Sequence, residues 1–466
     1  MQINPILLSD SYKYSMWLSY PKNATYVSSY FEARGGDYPE TIFFGLQMIL
    51  QEHFSTPVTM ADVDEAEEII TGHGCPFNRK GWELLVTRHG GKWPVVIDAV
   101  PEGTWVPYRN VLLQIRNTDP DFAWLTTYFE TVLSHLWYTN TVATRSGTCR
   151  KIITKWLDKT SDLTAENNGI LFRLHDFGYR GTETVESAGF GGVSHLVNFM
   201  GTDTVAALVA GRRYYDCPMA GFSIPATEHS VITSWGGPEK EEAAHKNFLD
   251  VYLGDGKLVA SVSDSYDIFR TCREIWGGSL KQQILDSGGK VVVRPDSGNP
   301  PEIMVEVTKI LDAQFGSTVN SKGYKVIHPA IGGLQGDGVS EQAIDVCCKA
   351  VADAGYSNEF WAFGMGGQLL QVMDRDTSKY AFKASSISFD QEPTNWQAFK
   401  KDPVTDKGKL SKAGRLALVK TNGSFETIQE SDLGNRQNIL QPVFRNGELL
   451  TRTTLDEIRN RAWPVA

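Results

Sequence analysis

Through the middle of the chain, short apolar runs rich in β-branched residues alternate with polar loops and then with stretches of helical spacing. Lys257–Val262 (KLVASV) leads into Ser263-Asp264-Ser265-Tyr266-Asp267, and Lys290–Val293 into Arg294-Pro295-Asp296-Ser297-Gly298. Tyr324–Ile331 leads into Gly332–Gly338, and Phe360–Phe363 into Gly364-Met365-Gly366-Gly367. Helical spacing follows each of them, over Ile268–Trp276, Glu302–Phe315, Val339–Ala354 and Gln368–Met373. The same pattern is readable at Ile170–Leu174 before Asp176–Arg180, and at Phe222–Ile224 before Glu228-His229. Successive strand–loop–helix units predict parallel strands joined by right-handed crossovers. All the loops then gather at the C-terminal ends of the strands, the face where α/β barrels and open α/β sheets hold ligands. No strand opens a Gly-x-Gly-x-x-Gly turn, so a barrel-like arrangement fits better than a doubly wound sheet.

The two chain ends have a different texture. Ala24–Ala33, Trp93–Val100 and Val111–Arg116 predict strands, Ile42–Phe54 a helix, and Asp121–Leu157 two long, aromatic-rich buried helices. After Ala384, Asn422-Gly423 and Asn446-Gly447 each separate two β-like runs, a strong hairpin signal. These features predict an N-terminal α+β region (1–165), a (β/α) barrel-like region (166–385), and an antiparallel C-terminal β region (386–466) that packs with the N-terminal part. The fold class expected is α/β, an irregular barrel with an additional β-rich domain built from both chain ends.

Composition narrows the function. The 466 residues are 41% hydrophobic and 21% charged, enough for a sizeable core and unlike a disordered chain. Forty-five basic against 55 acidic residues leave a net charge of −10, which argues against a nucleic-acid binder that relies on bulk charge. Mean hydropathy is −0.26, and no run approaches about 18 apolar residues, so no membrane span is expected. Met1–Tyr20 lacks the basic-then-apolar layout of a secretory signal. The six cysteines form no Cys-x-x-Cys pair and are expected to be buried thiols in a reducing compartment, the cytoplasm.

The loops suit a phosphorylated sugar. Glycine lets the backbone approach and donate N–H groups to phosphate oxygens. Arginine offers bidentate bonds to phosphate, and aspartate holds ribose hydroxyls or a phosphate-bound Mg²⁺. Arg294-Pro295-Asp296-Ser297-Gly298 carries all three residue types, while Gly336-Asp337-Gly338 and Gly364–Gly367 add two more glycine loops. His229, next to Glu228 after a strand, is open to work as nucleophile, general acid or phosphate ligand. The lysine-rich stretch Lys400–Lys412 reads either as a solvated loop or as one facing phosphate.

Taken in order, Asp10-Ser11-Tyr12-Lys13, Tyr30–Arg34, His175–Gly181, Gly201–Val205, Glu228-His229-Ser230, Ser263–Asp267, Arg294–Pro300, Gln335–Gly338 and Phe382-Lys383 resemble the signature of the nicotinamide phosphoribosyltransferase family over nearly the whole chain. The resemblance implies a type II phosphoribosyltransferase fold and a homodimer with shared active sites. It further implies transfer of the 5-phosphoribosyl group from 5-phosphoribosyl pyrophosphate to nicotinamide in NAD salvage, with Mg²⁺ and with ATP as a stimulating co-substrate. By the same resemblance Phe177 stacks on the pyridine ring, Tyr12 from the partner subunit covers its other face, and Asp203 accepts a hydrogen bond from the carboxamide. Arg180 and Arg294 bind pyrophosphate or the carboxamide side. Asp296, with Asp267, lies near the ribose and Mg²⁺, and Ser263 joins the substrate-binding set. Gly336, Asp337, Gly366 and Gly367 surround the ribose and 5′-phosphate, Arg375 and Lys383 complete that pocket, and His229 is the residue phosphorylated by ATP. Catalysis is thus expected at His229, Asp296 and Arg294.

Two departures stand out. The last glycine of the family's Gly-x-Gly-Gly-Gly is Gln368 here, and the segment after Arg34 is shorter than in animal members, which points to a microbial or viral-type member. A nicotinate enzyme would need a cation where Asp203 stands. An inactive binding protein would lack the charged set present here, and a two-carboxylate glycoside hydrolase would not explain the Arg and Gly loops.

Overall fold

The structure, a computed structural model, describes residues 3–163 and 169–464. It divides into two compact units. One holds Arg145–Gly211 and Pro218–Val372; the other holds the chain up to Thr144, Arg212–Cys217 and Met373–Pro464. The expected boundary at 165/166 lies outside the described residues. The barrel-like unit starts before it and ends at Val372 rather than at 385. The reason at the far end is pairing: Tyr380–Ser388 runs antiparallel to Tyr26–Ala33, so it belongs to the β-rich unit.

The first unit is built on a six-stranded parallel sheet. In spatial order it runs Gly201–Thr202, Leu174–Asp176, Trp361–Met365, Ile331–Gln335, Lys290–Arg294, Leu258–Val262. Helices such as Pro300–Phe315 and Glu341–Asp353 return the chain between strands. Strands covered on both faces read as near-continuous apolar runs, and Val291, Val292 and Val293 are buried accordingly. Phe222–Ile224 forms no strand. Phe222 instead bridges Gly201 at one edge of the sheet and Ala226 bridges Ala260 at the other. The segment between them spans the gap and closes the sheet into an irregular barrel.

Two expectations are corrected here. The run Tyr324–Ile331 is not the barrel strand: Lys325–Ile327 pairs antiparallel with Ser317–Val319, and the barrel strand is Ile331–Gln335, which takes in Gly332 and Gly333 of the expected loop. A Cβ on Gly333 would lie 2.5 Å from the Trp361 indole and one on Gly332 2.6 Å from Lys290 Cε, so glycine admits neighbouring side chains inside the strand. The stretch after Ile268 is one short α-turn, Ile268–Arg270, that continues as a π-helix over Thr271–Ser279.

The second unit carries a seven-stranded antiparallel sheet in the order Gln397–Ala398, Tyr380–Ser388, Tyr26–Ala33, Val111–Asn117, Val95–Ala99, Gln441–Arg445, Glu448–Leu449. Three strands from the N-terminal part form its centre, flanked on each side by two from the C-terminal part. Both Asn-Gly pairs make the expected two-residue turns with positive φ throughout: Asn422 51°, Gly423 83°, Asn446 49° and Gly447 82°. The helix expected over Ile42–Phe54 starts only at Leu46, because Glu40–Ile42 pairs with Trp105–Pro107. Asp121–Leu157 yields two short helices, Leu125–Tyr128 and Glu130–Ser134, before the long Leu136–Thr160. None of the six cysteines forms a disulfide, and five are buried. Among the described residues no helix is long and apolar enough to cross a membrane.

Gly36, just beyond Tyr26–Ala33, sits at φ +113°, and a Cβ there would lie 2.1 Å from the Thr377 carbonyl oxygen. Gly36→Ala should therefore cost at least about 1 kcal/mol from the left-handed backbone alone. A thermal unfolding curve unchanged from the parent would contradict this.

Candidate active site

Phe177 follows the strand Leu174–Asp176, and its N–H donates to the Met365 carbonyl at 3.0 Å, which fixes the ring against the neighbouring strand. That neighbour is glycine by necessity. A Cβ on Gly364 would lie 2.0 Å from Phe177 Cε2. The Arg294 guanidinium sits 5.8 Å from the Phe177 ring centroid and donates to Asp296 Oδ2 at 3.0 Å. Arg294 Nε is buried and has no hydrogen-bond partner among the described residues. Gly336 closes this corner: a Cβ there would be 3.2 Å from Asp296 Oδ1 and 3.3 Å from Arg294 Nε. Asp203 follows Gly201–Thr202; its N–H donates to the Asp176 carbonyl at 2.9 Å, and its Oδ1 accepts from Ser223 Oγ at 2.5 Å.

These groups stand at one end of a cavity of about 490 Å³ inside the barrel, within the range of small-molecule sites. Phe177, Asp203, Ser223 and Arg294 line the end at the strand C-termini, while Leu258, Lys290 and Arg173 line the opposite end. The cavity therefore runs the length of the strands. Burial, and then the neighbouring Arg173, pull the Lys290 ammonium down to about 8. Burial also lowers the His175 imidazole below its ordinary value.

A second cluster lies beyond the same strand ends. His229 Nε2 is 3.0 Å from Asp264 Oδ1; the imidazole is about half exposed, whereas the Asp264 carboxylate is 5% exposed. Asp264 Oδ2 accepts the Asp296 N–H at 2.9 Å and the Ser297 hydroxyl. One carboxylate thus fastens the His229 turn to the loop that carries Arg294 and Asp296. Asp264 was missed as a site residue, although it stands in the Ser263–Asp267 motif. The signal was its place directly after the strand, since Asp267 lies one turn further on.

Other predicted residues are placed differently. Asp267 caps the helix Ile268–Arg270, its Oδ1 accepting from Phe269 and Arg270 N–H. Ser263 is buried, donating to the Ser261 carbonyl and accepting from Trp276 Nε1, so neither residue joins the cavity group. Arg180 is exposed in the turn Tyr179–Gly181, and Asp337 is exposed after the strand Ile331–Gln335. Gly366 and Gly367 open the single turn Gly367–Leu370, shorter than the expected helix Gln368–Met373. Tyr12, Arg375 and Lys383 belong to the β-rich unit. There Tyr12 is 56% exposed, Arg375 is exposed in a 3₁₀ turn, and Lys383 has its ammonium pKa lowered chiefly by burial. In Lys400–Lys412, Lys400 and Lys407 pair with Asp402, Lys409 with Asp406 and Lys412 with the buried Glu32, which favours the solvated reading for most of that loop.

Residues 172–448 match the nicotinate phosphoribosyltransferase (NAPRTase) family, and residues 4–97 match the nicotinamide phosphoribosyltransferase N-terminal domain. A protein of Xanthomonas campestris pv. campestris named nicotinamide phosphoribosyltransferase is 46% identical, over 98% of each chain. One of that name from Acinetobacter baylyi is 32% identical, over 99% of this chain and 97% of its own. In fold, the chain is similar to nicotinate-nucleotide pyrophosphorylase from Pyrococcus furiosus (TM-score 0.63, 15% identity, 99% and 95% coverage). It is also similar to human nicotinic acid phosphoribosyltransferase (TM-score 0.56, 17% identity, 98% and 93% coverage).

Asp176, wholly buried between the Phe177 and Asp203 backbones, has its carboxyl pushed up from 3.8 to about 6, mainly by burial. The folded state then binds more protons than the unfolded chain between those values, so stability falls as pH rises through that window. Asp176→Asn keeps the Oδ1 acceptor for Gly178 N–H and removes the titration. Relative to the parent it should gain up to about 3 kcal/mol between pH 4 and pH 7. Urea unfolding at the two pH values measures this, and an equal response in both proteins would show that Asp176 titrates normally.

Proposed function

Because the chain belongs to the nicotinamide phosphoribosyltransferase family, we propose that it transfers the 5-phosphoribosyl group of 5-phosphoribosyl pyrophosphate to the ring nitrogen of nicotinamide. The products are nicotinamide mononucleotide and pyrophosphate, a step of NAD salvage. The observation that carries this reading is the end of the barrel cavity where an aromatic face (Phe177), a carboxylate (Asp203) and a guanidinium (Arg294) meet. The pyridine nitrogen lone pair forms the bond to ribose C1 while the C1–O bond breaks, its electrons leaving with pyrophosphate. Positioning both reactants and neutralising the leaving group are the main contributions a protein can make to such a step.

Phe177 offers a flat face for the pyridine, and Tyr12 from a partner subunit covers the other in a homodimer. Asp203 has one oxygen held by Ser223, which leaves the other to accept the carboxamide N–H. Nicotinate would bring a carboxylate to the same place and be repelled. Arg294, its Nε unpartnered inside the site, and Arg180 bind the pyrophosphate. Among the described residues no three His, Cys, Asp or Glu gather to hold a metal by themselves. Asp296 is suited to share Mg²⁺ with the substrate's phosphates, as Mg²⁺ sites commonly do, and the ion would neutralise charge on the leaving group. Gly336, Asp337, Gly366 and Gly367 meet the ribose and 5′-phosphate. With Nε2–H donated to Asp264, His229 keeps the Nδ1 lone pair for the γ-phosphorus of ATP, which makes ATP a stimulating co-substrate. Free cysteines throughout fit a cytoplasmic enzyme.

The direct test incubates the purified protein with 5-phosphoribosyl pyrophosphate, Mg²⁺ and either nicotinamide or nicotinate, and identifies the mononucleotide by mass. Nicotinamide should be preferred by at least about tenfold in kcat/KM. Preference for nicotinate would overturn the role of Asp203, and no product from either would leave a binding protein. In the same assay His229→Ala should retain ATP-independent transfer and lose the stimulation by ATP. Equal stimulation of variant and parent would remove His229 from the ATP reaction.

A further inference from the structure

Beneath His229 lies a buried polar chain that the mechanism above does not use. The helix Glu241–Tyr252 turns Glu241, Ala244, His245, Phe248 and Leu249 inward. That is the regular apolar stripe of an amphipathic helix, except that two of its five positions are ionisable and fully buried. His245 Nδ1 is 3.0 Å from Ser261 Oγ. Ser261 Oγ is 3.1 Å from Thr227 Oγ1, which in turn accepts the Val262 N–H at 2.9 Å. On the other side His245 Nε2 faces Glu241 Oε1 at 3.9 Å, and both atoms are buried without a hydrogen-bond partner among the described residues. The second Glu241 oxygen is bound by Arg270, in the turn that follows Asp267.

The approach of His245 Nε2 to the Glu241 carboxylate favours the tautomer with its proton on Nε2. Thr227 Oγ1 accepts the Val262 N–H and keeps its own proton to donate to Ser261 Oγ. The Ser261 hydroxyl then donates to His245 Nδ1, and the imidazole proton sits on Nε2 toward the Glu241 carboxylate. The chain starts at a buried carboxylate anchored to the Asp264–Arg270 loop and ends at Thr227, two residues before His229. These are the two segments that meet at the His229–Asp264 contact. Ile232, on the short helix His229–Thr233, packs with Ala244 and Val262 and holds that helix down. Packing of this kind sets depth and leaves orientation to directional bonds.

We propose that His245 is a positioning residue: through Ser261 and Thr227, and tied by Glu241 to the Asp264 loop, it orients His229 toward Asp264 for its reaction with ATP. This rests on the phosphorylated-His229 reading given above. Two variants separate orientation from packing. His245→Phe keeps a ring beside Trp276, 4.5 Å away by centroids, and removes both nitrogens. His245→Asn loses the ring but can place an amide where Nδ1 reaches Ser261.

The experiment measures incorporation of the γ-phosphate of ATP into acid-labile phosphohistidine, the ATP-independent transfer rate and Tm for the full-length parent and both variants. It also reads the His229 Nε2–Asp264 Oδ1 distance from crystal structures. Orientation predicts that His245→Phe loses at least about tenfold in incorporation with the ATP-independent rate within about twofold, that His245→Asn recovers most of the incorporation, and that the distance opens past 3.5 Å in the Phe variant. A purely packing role predicts the reverse order, with Phe near parental and Asn worse in Tm and in every rate; that result, or a retained 3.0 Å contact in His245→Phe, overturns the proposal. If the parent itself takes up no phosphate, the ATP reading falls, and the distance alone decides whether His245 positions His229.

Discussion

A parallel strand can pair only with neighbours that run the same way, so the segment after each strand must carry the chain back to the starting end. Everything else in the barrel unit follows from this. The residues that leave the strands Leu174–Asp176, Gly201–Thr202, Leu258–Val262, Lys290–Arg294 and Ile331–Gln335 have no choice but to emerge on one side. Phe177, Asp203, Asp264, Asp296 and Gly336 all do so, each within two residues of its strand end. Residues far apart in the chain become neighbours because the ladder aligns the strand ends.

The ladder brings the loops close, and carboxylates then fix them relative to one another. Asp264 accepts from His229 on one oxygen and from the Asp296 backbone and Ser297 on the other. Asp176 accepts the Gly178 N–H with its side chain and the Asp203 N–H with its backbone, placing the aromatic and the acid that face the cavity. Glu241 receives Arg270 one layer below. A buried carboxylate is costly unless several donors reach it, and here most of those donors are loop N–H groups and side chains whose positions matter to the site. The result is an array of polar groups held in place before substrate arrives, the condition under which electrostatic stabilisation of a leaving group is most effective.

Glycine and aromatic residues act as complements in the same way. Gly364 leaves the space that Phe177 fills, and Gly333 leaves the space that Trp361 fills. A one-methyl enlargement at either position would move a ring rather than a flexible side chain, since the ring plane has nowhere else to go in a packed interior. The cavity therefore owes its shape to absent side chains as much as to those that line it.

The alternation of apolar runs with polar loops was enough to establish parallel strands, the gathering of loops, and the Asn-Gly hairpins, because these depend on local periodicity and on backbone preferences that each residue carries with it. The motifs likewise pointed to the loops that hold Phe177, Asp203, His229 and Arg294. Local pattern failed where a partner across space decided the outcome. Gly332-Gly333 read as a loop until Trp361 and Lys290 gave those glycines a reason to lie in a strand. Tyr380–Ser385 read as part of the barrel until the pairing of the strand Tyr380–Ser388 with Tyr26–Ala33 placed it in the other sheet. Asp264 and Asp267 were equivalent in sequence, three residues apart in one polar loop. Tertiary structure alone turned one into the anchor of His229 and the other into a helix cap, because a carboxylate's role is set by which donors reach it.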